Sequence, residues 1–149
     1  MADMFSFRKA RRKDEKLLFT WINDPLTRSM SIDSSSISDI DHSRWYSKTL
    51  KGSQIKIYIY EKRNTKGRDP VGNIRVEDRK GQNFLSWNIS PEFRKQGLGE
   101  RMLNDFVTTN KRDYYAKIKV ENTPSLRICY SAGFRQYYCR GNITFWKNH

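Results

Sequence analysis

Strict alternation of side-chain character marks the clearest element of the chain, Gln54–Lys62. Ile55, Ile57 and Ile59 share one side and Tyr58 and Tyr60 the other, as a strand requires. The same period predicts strands over Phe5–Ala10, over Val71–Asp78 behind Pro70, over Asn83–Ile89 and over Tyr114–Val120. In Asn83–Ile89 it sets Phe84, Ser86 and Asn88 on one side and Leu85, Trp87 and Ile89 on the other. Phe134–Cys139 and Asn142–Trp146 read as a closing hairpin about Arg140-Gly141. Elsewhere the period lengthens to that of a helix. Leu17, Leu18, Trp21 and Ile22 stripe a helix over Asp14–Asp24 that Pro25 stops, and Ile40, Trp45, Tyr46 and Leu50 stripe one over Asp39–Leu50 with Gly52 just past it. Met102, Leu103, Phe106 and Val107 do the same over Gly97–Asn110. Thr123-Pro124-Ser125 opens a last helix that ends at Gly133. Asn64–Asp69 and Arg79–Gln82 are turns, and the serine-rich Thr27–Ser38, broken by Met30, Ile32 and Ile37, reads as a loop over a pocket. The order is strand, two helices, three antiparallel strands, helix, strand, helix, two strands, an α+β pattern.

One junction carries chemistry. Pro91 ends the ladder of the Asn83–Ile89 strand because it has no N–H to donate. Arg94-Lys95-Gln96-Gly97-Leu98-Gly99-Glu100 then turns into a helix. Such a turn leaves backbone N–H groups unpaired at the positive end of a helix dipole, which is how a phosphate or pyrophosphate is held. A Cβ at either glycine would keep the anion away or block the φ angles the turn requires. No Gly-Lys-Ser/Thr follows, and there is neither a third glycine nor an early parallel strand, so neither the P-loop nor the dinucleotide fingerprint fits.

Composition narrows the partners. At 149 residues, 36% hydrophobic and 13% aromatic, the chain is expected to form one domain over 1–149. No apolar run approaches the roughly 18 residues of a membrane span, and no secretory signal opens the sequence. Cys129 and Cys139 offer neither metal spacing nor a disulfide framework, so no metal is expected and the cytoplasm is the expected setting. The net charge of +13 attracts polyanions, and nucleic acid, coenzyme A and nucleotide sugars all qualify. The basic residues are scattered over Arg8–Lys16, Lys62–Arg68, Arg94–Arg101 and Arg135–Arg140, without a nucleic-acid-reading motif, so a nucleic-acid partner is not expected.

Arg94-x-x-Gly97-x-Gly99 resembles the Gln/Arg-x-x-Gly-x-Gly/Ala acyl-CoA signature of the GNAT acetyltransferases. Asn122-Thr123-Pro124-Ser125, followed by Gly133-Phe134, resembles that family's second signature. The resemblance covers essentially the whole chain. It implies the GNAT acyl-CoA N-acyltransferase fold, a mostly antiparallel twisted sheet of about seven strands with four helices. It also implies acetyl-CoA as cofactor and direct transfer of its acetyl group to a primary amine. The cofactor residues it implies are Asn88, Ile89, Arg94, Gln96, Gly97, Leu98, Gly99, Glu100, Asn122 and Ser125. Family members commonly carry a tyrosine acid seven residues after the Asn. Here Cys129 holds that place and Tyr130 lies about 100° further round the helix, so Cys129, Tyr130 and solvent all stand as proton sources.

Glu77 and His42 are the candidate general bases for the amine. Asn23, Arg28, Ser31 and Trp45 resemble the substrate residues of enzymes that acetylate nucleotide-linked amino sugars of the pseudaminic and legionaminic type, and Trp87 is a further candidate substrate residue. Amide, guanidinium and hydroxyl groups read sugar and phosphate oxygens, and an indole stacks on a ring. Protein N-terminal or ribosomal-protein acetylation is the alternative, and a non-catalytic acyl-CoA or nucleic-acid binder the alternative of another class. The oligomeric state is left open.

Overall fold

The computed structural model describes residues 4–33 and 35–149. Seven strands form one sheet in the order β1-β2-β3-β4-β5-β7-β6. They are β1 (Phe5–Lys9), β2 (Ile55–Asn64), β3 (Gly67–Arg79), β4 (Gln82–Ile89), β5 (Tyr114–Lys119), β6 (Arg135–Arg140) and β7 (Ile143–Lys147). The helices are α1 (Glu15–Ile22), α2 (Pro25–Met30), α3 (Asp39–Lys51), α4 (Leu98–Thr109) and α5 (Thr123–Ser131). Every pairing is antiparallel except β4 with β5.

The alternation read from the sequence divides the sheet into two faces. Tyr58 and Tyr60 of β2, Ile74 of β3, Leu85 of β4 and Tyr114, Ala116 and Ile118 of β5 meet Met102, Leu103 and Phe106 of α4 and Cys129 of α5 in the larger core. Ile57 and Ile59 of β2 face the other way, onto Leu18 and Trp21 of α1 and Tyr46 of α3. Met102 and Leu103 have no exposed surface, and each such burial is worth about 1.5–3 kcal/mol. Tyr46 donates from its hydroxyl to the Arg11 carbonyl at 2.5 Å, and burial pushes its pKa up to about 12.

Two local departures from expectation matter. Pro70 does not open β3 but lies inside it, opposite Glu61. The register slips between Tyr60 and Glu61, and the extra residue absorbs a proline that cannot serve the ladder. Pro25 stops α1 as expected, yet it also starts α2 inside the segment expected to be loop. Asp24 caps that helix by accepting the Thr27 N–H at 3.2 Å, with proline at a first-turn position.

The parallel pair shapes the site. β4 and β5 register only at Asn83 with Tyr114 and Phe84 with Tyr115. β4 continues to Ile89 and β5 to Lys119, so beyond the first two residues the strands part. The gap is a wedge between Ser86–Ile89 on one wall and Lys117–Lys119 on the other. α4 follows the first wall and α5 the second, which sets both helix N-termini beside its open end.

Candidate active site

The turn from β4 to α4 is built to expose donors. Lys95 and Gly97 both take positive φ, 62° and 72°, so the backbone doubles back on itself. Among the described residues, no acceptor meets the backbone N–H groups of 94–100, and no side chain caps α4. Gly97 stands open, with nothing within 4 Å of where a Cβ would project. Gly99 is a glycine for another reason. A Cβ there would stand 2.4 Å from Ile128 Cδ1, so its absence lets α4 and α5 pack closely. Leu98 is buried, Glu100 half-buried and Gln96 exposed. The Arg94 side chain turns away from the N–H groups and donates through Nη2 to Asp24 Oδ2 at 2.8 Å and Thr27 Oγ1 at 3.0 Å. Burial works to raise the Asp24 pKa, but the bonds from Arg94 and the Thr27 N–H outweigh it and hold the carboxyl below the usual range.

On the other wall, Asn122 Oδ1 accepts the Ser125 N–H at 3.3 Å and caps α5. Lys119, at the tip of β5, reaches the Ser29 carbonyl of α2 at 3.3 Å. α2 is therefore tied at its start to the phosphate-type turn and near its end to β5, and lies as a roof over the wedge.

Three buried side-chain atoms lack a partner among the described residues: Asn73 Oδ1, Trp87 Nε1 and Asn88 Oδ1. All three belong to the open end of β3 and β4, where Asn73 pairs directly with Asn88. Buried polar groups are normally satisfied, so the two amide oxygens that meet across β3 and β4 are acceptors open to a water or a ligand. Asn73 and Asn88 lie on the sheet face of Ile59, the face opposite the larger core. Trp87 and Ile89 lie on the opposite face with the larger core. Asn73 was missed from the sequence, although the turn at Arg79–Gln82 fixes the pairing and brings 73 opposite 88.

Several expected site residues fall elsewhere. Cys129 is fully buried in the larger core, and burial pushes its thiol above the ordinary range, which is the setting of a packing residue and makes it a weak proton donor. Tyr130 is 58% exposed and lies beneath Arg135, 3.9 Å from ring centroid to guanidinium carbon. Glu77 sits opposite Phe84 at the closed end of the sheet, four residues and about 13 Å from Asn73. Burial favours its protonation, but ion pairs with Arg79 and with Arg75 (2.6 Å) prevail and lower its pKa, which unsuits it as a base. His42 packs among the rings of Phe19, Trp45 and Tyr46, away from the wedge, and burial lowers its pKa. It borders a cavity of about 520 Å³ lined only by α1 and α3 residues, separate from the wedge.

The expected substrate residues also divide. Asn23 exchanges two hydrogen bonds with the Ile37 backbone, at 3.0 and 3.1 Å. Arg28 donates to the carbonyls of Ile22, Asp33 and Ser35 and to Ser31 Oγ, and Ser31 donates to the Thr27 carbonyl. These three side chains brace the roof segment and have few free groups to offer a ligand. Trp45 lies under Arg75, whose guanidinium carbon is 5.3 Å from its ring centroid, on the same sheet face as Asn73.

Comparison with known proteins agrees with this geometry. The acetyltransferase (GNAT) domain family matches residues 5–135. No curated protein sequence matches the chain significantly. Among solved structures, a domain from Methanocaldococcus jannaschii superposes with a TM-score of 0.79 at 17% identity, covering 96% of each chain. Spermidine N-acetyltransferase from Vibrio cholerae, solved with CoA and spermine, gives 0.80 at 14% identity over 97% of this chain and 94% of that one. The aminoglycoside acetyltransferase AAC(6')-Ib, solved with acetyl-CoA and an aminoglycoside, gives 0.76 at 15% identity over 97% and 92%. At such identities the likeness is one of fold. With the family match spanning most of the chain, the protein belongs to the GNAT acetyltransferases and is an acetyl-CoA-dependent N-acetyltransferase.

Proposed function

We propose that this enzyme acetylates a primary amine carried on an anionic small molecule, of which a nucleotide-linked amino sugar is the chemical type. Bound acetyl-CoA supplies an acetyl thioester that an amine attacks directly once the two are aligned. The N–H groups of 94–100 suit its diphosphate, and the unpaired edge of Ser86–Ile89 suits its amide-bearing arm. The Asn73 and Asn88 amide oxygens accept N–H bonds from the amine and turn its lone pair toward the wedge. With Glu77 held by two arginines and the His42 ring packed between α1 and α3, the amine proton leaves to solvent.

The single observation that carries the acceptor reading is the orphaned amide pair within a cationic frame. Strand β4 and helix α2 contain no carboxylate. Asp24 at the cap of α2 and Glu77 on β3 are each held by arginine. A polycation such as spermine or an aminoglycoside, the ligands of the two neighbours above, would meet no carboxylate on β4 or α2 and a net charge of +13 around them. An acetyl-CoA consumption screen over nucleotide-linked amino sugars, polyamines and aminoglycosides tests this. The nucleotide-linked amines should give the highest kcat/KM, by tenfold or more, and a preference for polyamines would overturn the acceptor reading.

A further inference from the structure

Five aromatic rings outside both cores lie together on one sheet face. Phe84 of β4, Tyr115 of β5, Phe145 of β7 and Tyr137 and Tyr138 of β6 form one continuous patch. Its centroid contacts are Phe84–Tyr115 at 5.4 Å, Tyr115–Tyr137 at 6.3 Å, Tyr137–Phe145 at 6.4 Å and Tyr138–Phe145 at 5.3 Å. Two consecutive tyrosines reach one ring because the β6–β7 register slips between Gln136 and Tyr138, which re-aims a side chain. The patch occupies the face that α4 and α5 leave free, and α1 and α3 cover only the β2 side of it. Cations cover it instead of a helix. Arg79 and Lys117 lie over Phe84, Lys117 also over Phe145, and Lys147 over Tyr137, all at 5.2–5.5 Å.

We infer that this bare face of β4, β5, β7 and β6 holds the base and phosphates of a nucleotide on which the acceptor amine is carried. Exposed rings, with Tyr138 52% open, offer stacking surface to a planar base, and the overlying Lys117 and Lys147 ammonium groups offer charge to phosphates. The face is continuous with the acceptor end of the site. Phe84 and Asn88 share one side of β4, four residues and about 13 Å apart, a span that a sugar and a diphosphate cover. A second copy of the chain is the poorer occupant, since it would bring two bodies of charge +13 together. This inference rests on the acetyltransferase reading above and names what its substrate carries.

The test is calorimetric titration of CoA-saturated protein with UDP, CDP, ADP and GDP, with CoA affinity measured on every variant. At least one nucleoside diphosphate should bind the wild type more tightly than inorganic pyrophosphate does. Lys147→Glu and Tyr138→Ala should each weaken that binding tenfold or more while CoA affinity stays at the wild-type value, which also reports that the variants are folded. Absence of nucleotide binding in protein that binds CoA overturns the inference and leaves the transferase intact. So does nucleotide binding unchanged in both variants. A twelve-residue oligouridylate that binds far more tightly than UDP, with steep salt dependence, gives the face to single-stranded RNA and overturns the inference too. Failure of the wild type to bind CoA removes the underlying reading and the inference with it.

Discussion

Substitution of Gly97 separates the two demands the wedge places on one residue. Its φ of 72° is left-handed, and a side chain such as Glu there costs roughly 1–2 kcal/mol of stability. For a chain of this size that is a fall in Tm of roughly 2–8 °C, which leaves the protein folded at 25 °C. Nothing lies within 4 Å of the new Cβ, so no packing cost is added. The same open space is what the diphosphate needs. A carboxylate at 97, about 5 Å from a phosphate charge at an effective dielectric near 20, adds about 3 kcal/mol of repulsion, more than a hundredfold in Kd. Gly97→Asn keeps the left-handed turn at low cost and adds no charge, so it serves as the matched control. Calorimetry with CoA should therefore show modest weakening for Gly97→Asn and loss of measurable binding for Gly97→Glu, with melting curves close together. A folded Gly97→Glu variant that binds CoA like the wild type would refute the assignment of residues 94–100 to the diphosphate.

Two more expectations follow from side chains that the wedge does not use. Cys129→Ala should lower Tm by a few degrees through lost packing and leave kcat within twofold of wild type, whereas a drop of a hundredfold in kcat at unchanged CoA affinity would restore the thiol as the acid. His42 has its pKa lowered by burial, so the folded state resists its protonation. Its contribution is complete above the unfolded value near 6.5 and is lost as pH falls through the folded one. The wild type should lose stability between about pH 7 and pH 5 more steeply than His42→Phe, and parallel curves from denaturant titration at each pH would contradict this.

Local signals carried much of the architecture, and non-local ones did not. The β4–α4 turn was readable because Pro91, Gly97 and Gly99 act on their own neighbours, and the α5 start because Asn122 caps three residues ahead. The site's width was not readable. Where two parallel strands stop pairing depends on the helices packed against them, and Asn83 and Phe84 look no different from Ser86 as strand residues. Glu77 attracted attention as an acid near a strand end, but which end it occupies follows only from register. The same register would have nominated Asn73 through its partner Asn88. Asn23, Arg28 and Ser31 have the chemistry of ligand readers. What they bind is main chain up to 14 residues away, which no composition reveals.

The roof helix is the sharpest case. At six residues α2 is far below the roughly 12–15 at which an isolated helix holds together in water, so its sequence gives little helical signal and its own hydrogen bonds cannot maintain it. What maintains it are bonds to its surroundings: Arg28 to the carbonyls of Ile22, Asp33 and Ser35, and, from the two walls, Arg94 to Asp24 and Thr27 at one end and Lys119 to Ser29 near the other. Those two cations sit on opposite sides of the gap between β4 and β5, so the helix bridges the two walls. The expected loop over a pocket and the observed helix are thus one feature, a polar segment whose structure is imposed by the cleft beneath it.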